Sequence, residues 1–237
     1  QMLDQKDEIQ NFSMSVKKDG YHTIVVLGMG GSTIGAELFR QVAEIDKNQL
    51  QLIVLDSIIP ETVKRVISEI DLARTLFVVA SKSGTTLETM LLYRLFRNLL
   101  ENNLSNLEAG NKFIAITDPG TELENLAITE NFKRIFHSPF DVSGRYSIHS
   151  YFALLPAAMI GLDIHKILSR TEKMKGRCGA STEMTKNPAA IFGTTIGKMA
   201  MLGRDKLTII TSPSIITGLF IESPSKRNKR KEHLISS

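Results

Sequence analysis

Two short phrases place glycine and hydroxyl side chains where an anion could be held. They are G-M-G-G-S at Gly28–Ser32 and S-K-S-G-T-T-L-E-T at Ser81–Thr89. Each follows an apolar run that reads as a buried strand, T-I-V-V-L before the first and T-L-F-V-V-A before the second, and each opens into a helical pattern. Such a loop sits at the carboxyl end of a strand and the amino end of a helix. There, free backbone N–H groups and the positive end of the helix dipole suit a phosphate, and Ser and Thr hydroxyls add donors without bulk. A single loop of this kind is weak evidence; two in one domain, the second carrying Lys82, form a specific signal.

The elements that must position these loops alternate along the chain. A lead-in helix is expected from Met2 to about Gly20. Strands are expected at Thr23–Leu27, Gln51–Leu55, Thr75–Ala80, Lys112–Thr117 and Arg134–His137, and helices at about Thr33–Glu44, Pro60–Ile70 and Thr86–Asn102. In the last of these, Leu87, Met90, Leu91, Leu95 and Leu99 recur at helical spacing. Apolar strands without alternation, separated by helices, mean a parallel sheet covered on both faces, with ligands at the carboxyl ends of its strands. The predicted fold is therefore a doubly wound, five-stranded, flavodoxin-like α/β domain. Beyond Ser143 the texture changes to helices at Ile148–Ile160, with a kink at Pro156, then Asp163–Lys175 and Asn187–Leu202. Lys206–Thr211 reads as a new strand, followed by a helix-like stretch at Ser214–Ile221.

Composition narrows the function classes. The chain has 237 residues, 42% hydrophobic and 23% charged, which is ordinary for a soluble globular protein. Apolar runs fall well short of the roughly 20 residues of a membrane span. The lone Cys178 excludes an internal disulfide framework and suits a reducing cytoplasm, most simply as a small, partly buried side chain. Five positive charges crowd into K-R-N-K-R-K at Lys226–Lys231; setting them aside takes the formal charge from +4 to −1, so nucleic acid is not an expected partner. His22, His137, His149, His165 and His233 lack metal-ligand spacing. His149, on the expected buried helix, reads as a core or interface residue.

The two loops resemble the phosphate-binding signatures of the phosphoglucose isomerase family. V-S-G-R-Y-S at Val142–Ser147 resembles that family's V-G-G-R-x-S, and L-L-P-A-A-M-I-G-L-D fits the helix that follows. N-P-A-A-I-F-G at Asn187 and the stretch from Lys206 to Glu222 extend the resemblance, which runs from about Tyr21 to Glu222, roughly the first half of such an enzyme. The family fold is two sugar-isomerase domains. The resemblance divides this chain into the lead-in helix (1–20), a first sugar-isomerase domain (21–160), a helical connector (161–204), the start of a second domain (205–222) and a basic tail (223–237). It implies aldose–ketose isomerisation of glucose 6-phosphate and fructose 6-phosphate, no cofactor, and a homodimer when whole.

The resemblance also assigns roles. Gly31 and Ser32 would line the phosphate and sugar site. Ser81, Ser83 and Thr86 would donate hydroxyl hydrogen bonds to the phosphate, Lys82 would contribute a backbone N–H, and Glu88 would lie near the substrate. Gly144 and Arg145 would face the sugar, with Arg145 stabilising the enediolate oxygen by charge. Ser143 stands where the family has glycine. The family's general base is the Glu of an E-S-x-G-K motif. Here Glu222 and Ser223 mimic its opening, but Pro224 and Ser225 replace the small turn residues. Glu222 better matches an acidic residue somewhat before the base. Read one nucleotide out of frame, Lys226–Lys231 can encode N-G-T-K-G-K, so a frameshift is the expected origin of the tail; a natural basic tail on a shortened homologue is the alternative.

Competing readings stay open. Gly28 and Gly30 also begin a dinucleotide fingerprint, with Asp56 where a ribose-binding acid would stand, but Thr33 replaces its third glycine and the Ser81–Thr86 loop would have no role. Thr85 and Glu88 fit the T-x-x-E capping box, so Glu88 could be structural, functional or both. The chain could be an incomplete isomerase, a non-catalytic sugar-phosphate-binding module, or a piece of a bifunctional phosphoglucose/phosphomannose isomerase. The S-K-S-G-T-T loop counts against the last.

Overall fold

The computed structural model describes residues 2–43, 49–102, 104–139, 141–204 and 206–208. They form two compact units that meet in sequence at Leu162 and Asp163. The first holds a five-stranded, wholly parallel sheet of order β2-β1-β3-β4-β5. Its strands are β1 (Thr23–Gly28), β2 (Gln51–Leu55), β3 (Thr75–Ala80), β4 (Phe113–Thr117) and β5 (Arg134–His137). Every residue of β1, β3 and β4 is buried, as a sheet covered on both faces demands.

Alternate side chains divide between the two faces. On one, Val25, Leu27, Phe77, Val79, Phe113 and Ala115 pack under α3 (Pro60–Glu69), α4 (Leu87–Glu101), α5 (Asn106–Gly110) and α6 (Glu122–Thr129). Phe77 lies 4.7 Å from Phe96 and 5.2 Å from Phe113, ring centre to ring centre. On the other, α1 (Lys6–Lys18), α2 (Gly31–Val42) and α7 (Tyr151–Met159) pack together. Ser13 of α1 donates to the Ala158 carbonyl of α7 at 2.9 Å, and Phe136 of β5 meets both Phe12 and Tyr151 at 5.0 Å. All nine residues of α7 are buried, and the helix continues through Pro156 to Met159.

The predictions for the five strands of this sheet hold to within a residue at every end. Two helices escape the sequence reading, α5 and α6. Both are short, and each starts on a side-chain cap: Ser105 forms a capping box with Glu108, and Thr121 accepts from the Glu124 N–H. The leucine periodicity of α4 misleads. Its buried residues are Thr89, Leu92, Tyr93, Phe96, Arg97 and Leu100, whereas Leu87, Leu91 and Leu95 are exposed. The core prefers the aromatic stripe, and Arg97 is buried because its guanidinium bonds Glu101, the Asn106 carbonyl and the Glu130 carbonyl.

The second unit contains α8 (Ile164–Arg177) and α9 (Pro188–Met201). Asp163 caps α8 by accepting from the Lys166 N–H at 2.9 Å. Asn187 caps α9 by accepting from the Ala189 and Ala190 N–H groups, ahead of a proline at the first helical position. Cys178, the residue after α8, is half-buried. Lys206–Thr208, the described part of the expected strand, adopts neither strand nor helix; the rest of that strand, Glu222 and the basic tail lie outside the described residues.

Candidate functional site

Strand order alone brings the two loops together. The order reverses between β1 and β3, and this switch point is where an open parallel sheet leaves a crevice. β1 and β3 are direct neighbours, with Gly28 paired to Ala80, so both loops leave the sheet side by side. A Cβ on Gly28 would fall 2.8 Å from the Ala80 carbonyl oxygen and 2.9 Å from Thr33 Cγ2, a crowding that only glycine tolerates. Gly30 follows at φ +59°, a left-handed conformation natural to glycine, and begins α2.

The third motif closes on the first. A Cβ on Gly31 would stand 2.5 Å from the Gly144 carbonyl carbon and oxygen and 2.9 Å from the Arg145 nitrogen. Ser147 staples the contact, its hydroxyl reaching the Gly31 carbonyl at 3.1 Å and the Gly144 carbonyl at 2.7 Å. One turn further along α2, Gly35 admits Ala153 of α7, with a Cβ there 2.5 Å away. Residues Gly144–His149 thus form a 3₁₀ turn laid against α2. A cavity of about 380 Å³ lies between them, lined by Ile34, Leu38, Arg145, Tyr146 and His149 among others. Ser143 sits at φ −60°, ψ 146°, extended backbone open to any residue, so serine in place of the family's glycine brings no strain.

The second loop is built from hydroxyls. Ser81, almost fully buried, pairs its Oγ with Thr86 Oγ1 at 3.0 Å, while Ser83 Oγ accepts from the Thr85 N–H at 3.3 Å and from its hydroxyl at 3.1 Å. Gly84 turns the loop at φ +70°, packed so that a Cβ would meet Thr121 at 2.6 Å. Helix α4 then starts after Thr86, whose side chain makes no capping bond. The expected Thr85–Glu88 capping box is therefore not formed. Thr85 lies outside the cap position and spends its hydroxyl on Ser83, and Glu88, half-buried, stands in the first turn. Ser32 is 8% exposed inside the first turn of α2.

Lys82 is the loop's cation, and its ammonium lies 2.7 Å from both carboxylate oxygens of Asp118 and 3.0 Å from the Pro139 carbonyl. In the sequence Asp118 reads only as the first residue of a D-P-G turn, so sequence reasoning misses this pairing. Arg145 and Tyr146 are exposed beside α2. His149 is exposed too and precedes α7, so its expected place in the buried helix is corrected; crowding by the surrounding protein still holds its imidazole pKa below the ordinary value. Among the described residues no cluster of histidine, cysteine and carboxylates could hold a metal ion, and no helix is long and apolar enough to cross a membrane.

Known proteins place this geometry. The family model for phosphoglucose isomerase matches residues 6–205. A glucose-6-phosphate isomerase from Prochlorococcus marinus (strain NATL2A) is 32% identical over 228 residues, which are 91% of this chain but 43% of that protein. One from Methanocaldococcus jannaschii is 31% identical over 185 residues, 78% of this chain and 44% of that protein. Among solved structures, a glucose-6-phosphate isomerase from Chlamydia trachomatis superimposes with a TM-score of 0.67 at 25% identity, covering 83% of this chain and 36% of that one. A hypothetical protein from Thermus thermophilus shares the fold at a TM-score of 0.75 and 24% identity, covering 83% of this chain and 46% of that one. The chain spans less than half the length of the curated relatives it matches. With the loops at the switch point and the third motif closed upon them, the chain belongs to the phosphoglucose isomerase family.

Proposed function

We propose that this chain is the phosphate-holding part of a glucose-6-phosphate isomerase. The observation that carries the reading is the convergence of three motifs at the β1/β3 switch point, two held by the Gly28–Ala80 pairing and the third by the Gly31–Gly144 approach. The phosphate is taken by the hydroxyls of Ser81, Ser83 and Thr86 and by the first-turn N–H groups of α4, whose cap residue leaves them without a side-chain acceptor. Lys82 adds its backbone N–H. Gly31 and Ser32 line the sugar side, and Gly144 and Arg145 face the sugar. Isomerisation removes a proton from the carbon bearing the hydroxyl and returns it to the neighbouring carbonyl carbon, while the hydroxyl proton passes to the former carbonyl oxygen, with negative charge growing on oxygen between the two steps. The Arg145 guanidinium stabilises that charge.

The proton needs a base. Glu222 lies outside the described residues, and Glu88 is the carboxylate that stands next to the phosphate loop in the chain. On this reading residues 205–222 open a second sugar-isomerase domain, and the protein is cytoplasmic and, when whole, a homodimer. Because the match covers less than half of those relatives, we expect this 237-residue chain to bind sugar phosphates without appreciable turnover. A missing general base alone removes about two to four orders of magnitude. The test is fructose 6-phosphate formation from glucose 6-phosphate by the purified chain, beside Glu222→Gln and with mannose 6-phosphate as a second substrate. Robust turnover abolished by Glu222→Gln would identify Glu222 as the base and contradict the binding-only expectation. Turnover of mannose 6-phosphate would favour the bifunctional reading.

A further inference from the structure

We propose that Asp118 is a positioning residue for the phosphate loop: it holds Lys82 from the neighbouring strand ends, so that the loop presents N–H and hydroxyl donors rather than an ammonium to the ligand. The proposal rests on the phosphate-site reading above and adds a residue that none of the three motifs contains. Five contacts carry it. Both Asp118 oxygens lie 2.7 Å from Lys82 Nζ. The Asp118 N–H donates to the Lys82 carbonyl at 3.2 Å, so side chain and backbone of Lys82 are gripped from one position. The Thr117 hydroxyl reaches the same carbonyl at 3.4 Å. The Ser138 hydroxyl donates to Asp118, fixing the carboxylate from the end of β5. Loops after β3, β4 and β5 are thereby tied at the edge of the site. The pair is largely shielded from water, Lys82 21% and Asp118 23% exposed, so little solvent screens it.

The proposal makes a prediction whose sign separates it from plain electrostatics. A carboxylate beside an anion site repels the anion, and removing it would release the Lys82 ammonium toward the phosphate. On charge alone, Asp118→Asn should bind phosphate more tightly. A positioning role demands the opposite, because the released loop loses the arrangement of its donors. Binding of glucose 6-phosphate, and of inorganic phosphate as the minimal probe, is measured by calorimetry on the full chain for wild type, Asp118→Asn, Lys82→Met, the double variant and Ser138→Ala. Circular dichroism and thermal melts report the fold.

We expect about tenfold weaker binding for Asp118→Asn, a similar loss for Lys82→Met, and no further loss in the double variant, because both break one clamp. Ser138→Ala removes only the hydroxyl that fixes the carboxylate and should cost about two- to fivefold in affinity; it carries the test if Asp118→Asn does not fold. Unchanged or tighter binding by a folded Asp118→Asn, losses that add in the double variant, or an unchanged Ser138→Ala would overturn the clamp. If wild type binds neither probe, the phosphate-site reading fails and the clamp with it. If wild type binds and the variants bind equally well, only the clamp fails.

Discussion

The two loops at the switch point solve the same placement problem with different materials. The Gly28–Ser32 loop is made of space: Gly28 and Gly31 are glycines because Ala80 and Gly144 occupy the places where a side chain would go. The Ser81–Thr86 loop is made of donors, with Ser81, Ser83, Thr85 and Thr86 hydrogen-bonded among themselves and a single left-handed glycine to turn the chain. The difference separates tasks. The first loop lets a third segment approach α2 closely, and the second collects hydroxyl and amide donors. A substitution in the first should therefore act through sterics and displace a neighbour, while one in the second should act through lost hydrogen bonds and leave the fold intact.

The largest effect is expected at Gly84, the one steric position of the hydroxyl loop. Gly84→Ala meets both a left-handed φ, costing about 1–2 kcal/mol, and a contact 2.6 Å from Thr121, adding about 1–3 kcal/mol. A fall of several degrees in Tm should follow, and an unchanged melt would mean the turn is not as tight as this packing implies. In the glycine loop, Gly31→Ala should cost about 1–3 kcal/mol and weaken sugar-phosphate binding by pushing the Gly144–Arg145 backbone away. Gly144→Ala, whose Cβ would meet nothing within 4 Å, should be near neutral in stability. Equal losses at Gly31 and Gly144 would break the comparison.

Smaller effects belong to the donors. Ser81→Ala or Thr86→Val removes one partner of a 3.0 Å hydroxyl pair and should weaken glucose 6-phosphate binding roughly tenfold, about 1.5 kcal/mol, with little change in melting. The smallest effect is at His149. Its pKa is held below the ordinary value in the fold, so the unfolded chain takes up its proton first as pH falls. The stability this gives is whole above the ordinary histidine pKa of about 6.5 and is lost as pH drops through the depressed value. His149→Gln should flatten that part of the stability–pH curve as pH falls below about 6.5; a curve identical to wild type would place the proton elsewhere.

Much of this is legible in residues whose neighbours are close in sequence. β1 and β3 read as strands because their apolar runs are continuous, and Gln51–Leu55 and Thr75–Ala80 are bounded to the residue. Family motifs name Ser81, Gly31 and Arg145. What is not legible depends on partners far along the chain. Nothing near Asp118 announces Lys82, 36 residues earlier, and only the β3–β4 pairing brings them together. The α4 leucines look like a buried stripe because periodicity reports that a helix has an apolar face without saying which of two faces the sheet will take. The capping box fails for a local reason: Thr85 is drawn to Ser83, which shifts the helix start by one residue. Apolar composition likewise does not decide burial. Helix α7 is buried throughout, whereas α9, also apolar, has no buried residue among those described.

The central claim, that both loops serve one sugar-phosphate ligand, is tested most directly by an amide NMR titration of the chain with glucose 6-phosphate. Resonances of Gly30–Thr33 and Ser81–Thr86 should shift together, with one dissociation constant and with Gly144 and Arg145 following them. Shifts confined to one loop, two different constants for the two loops, or perturbations restricted to Lys226–Lys231 would contradict it.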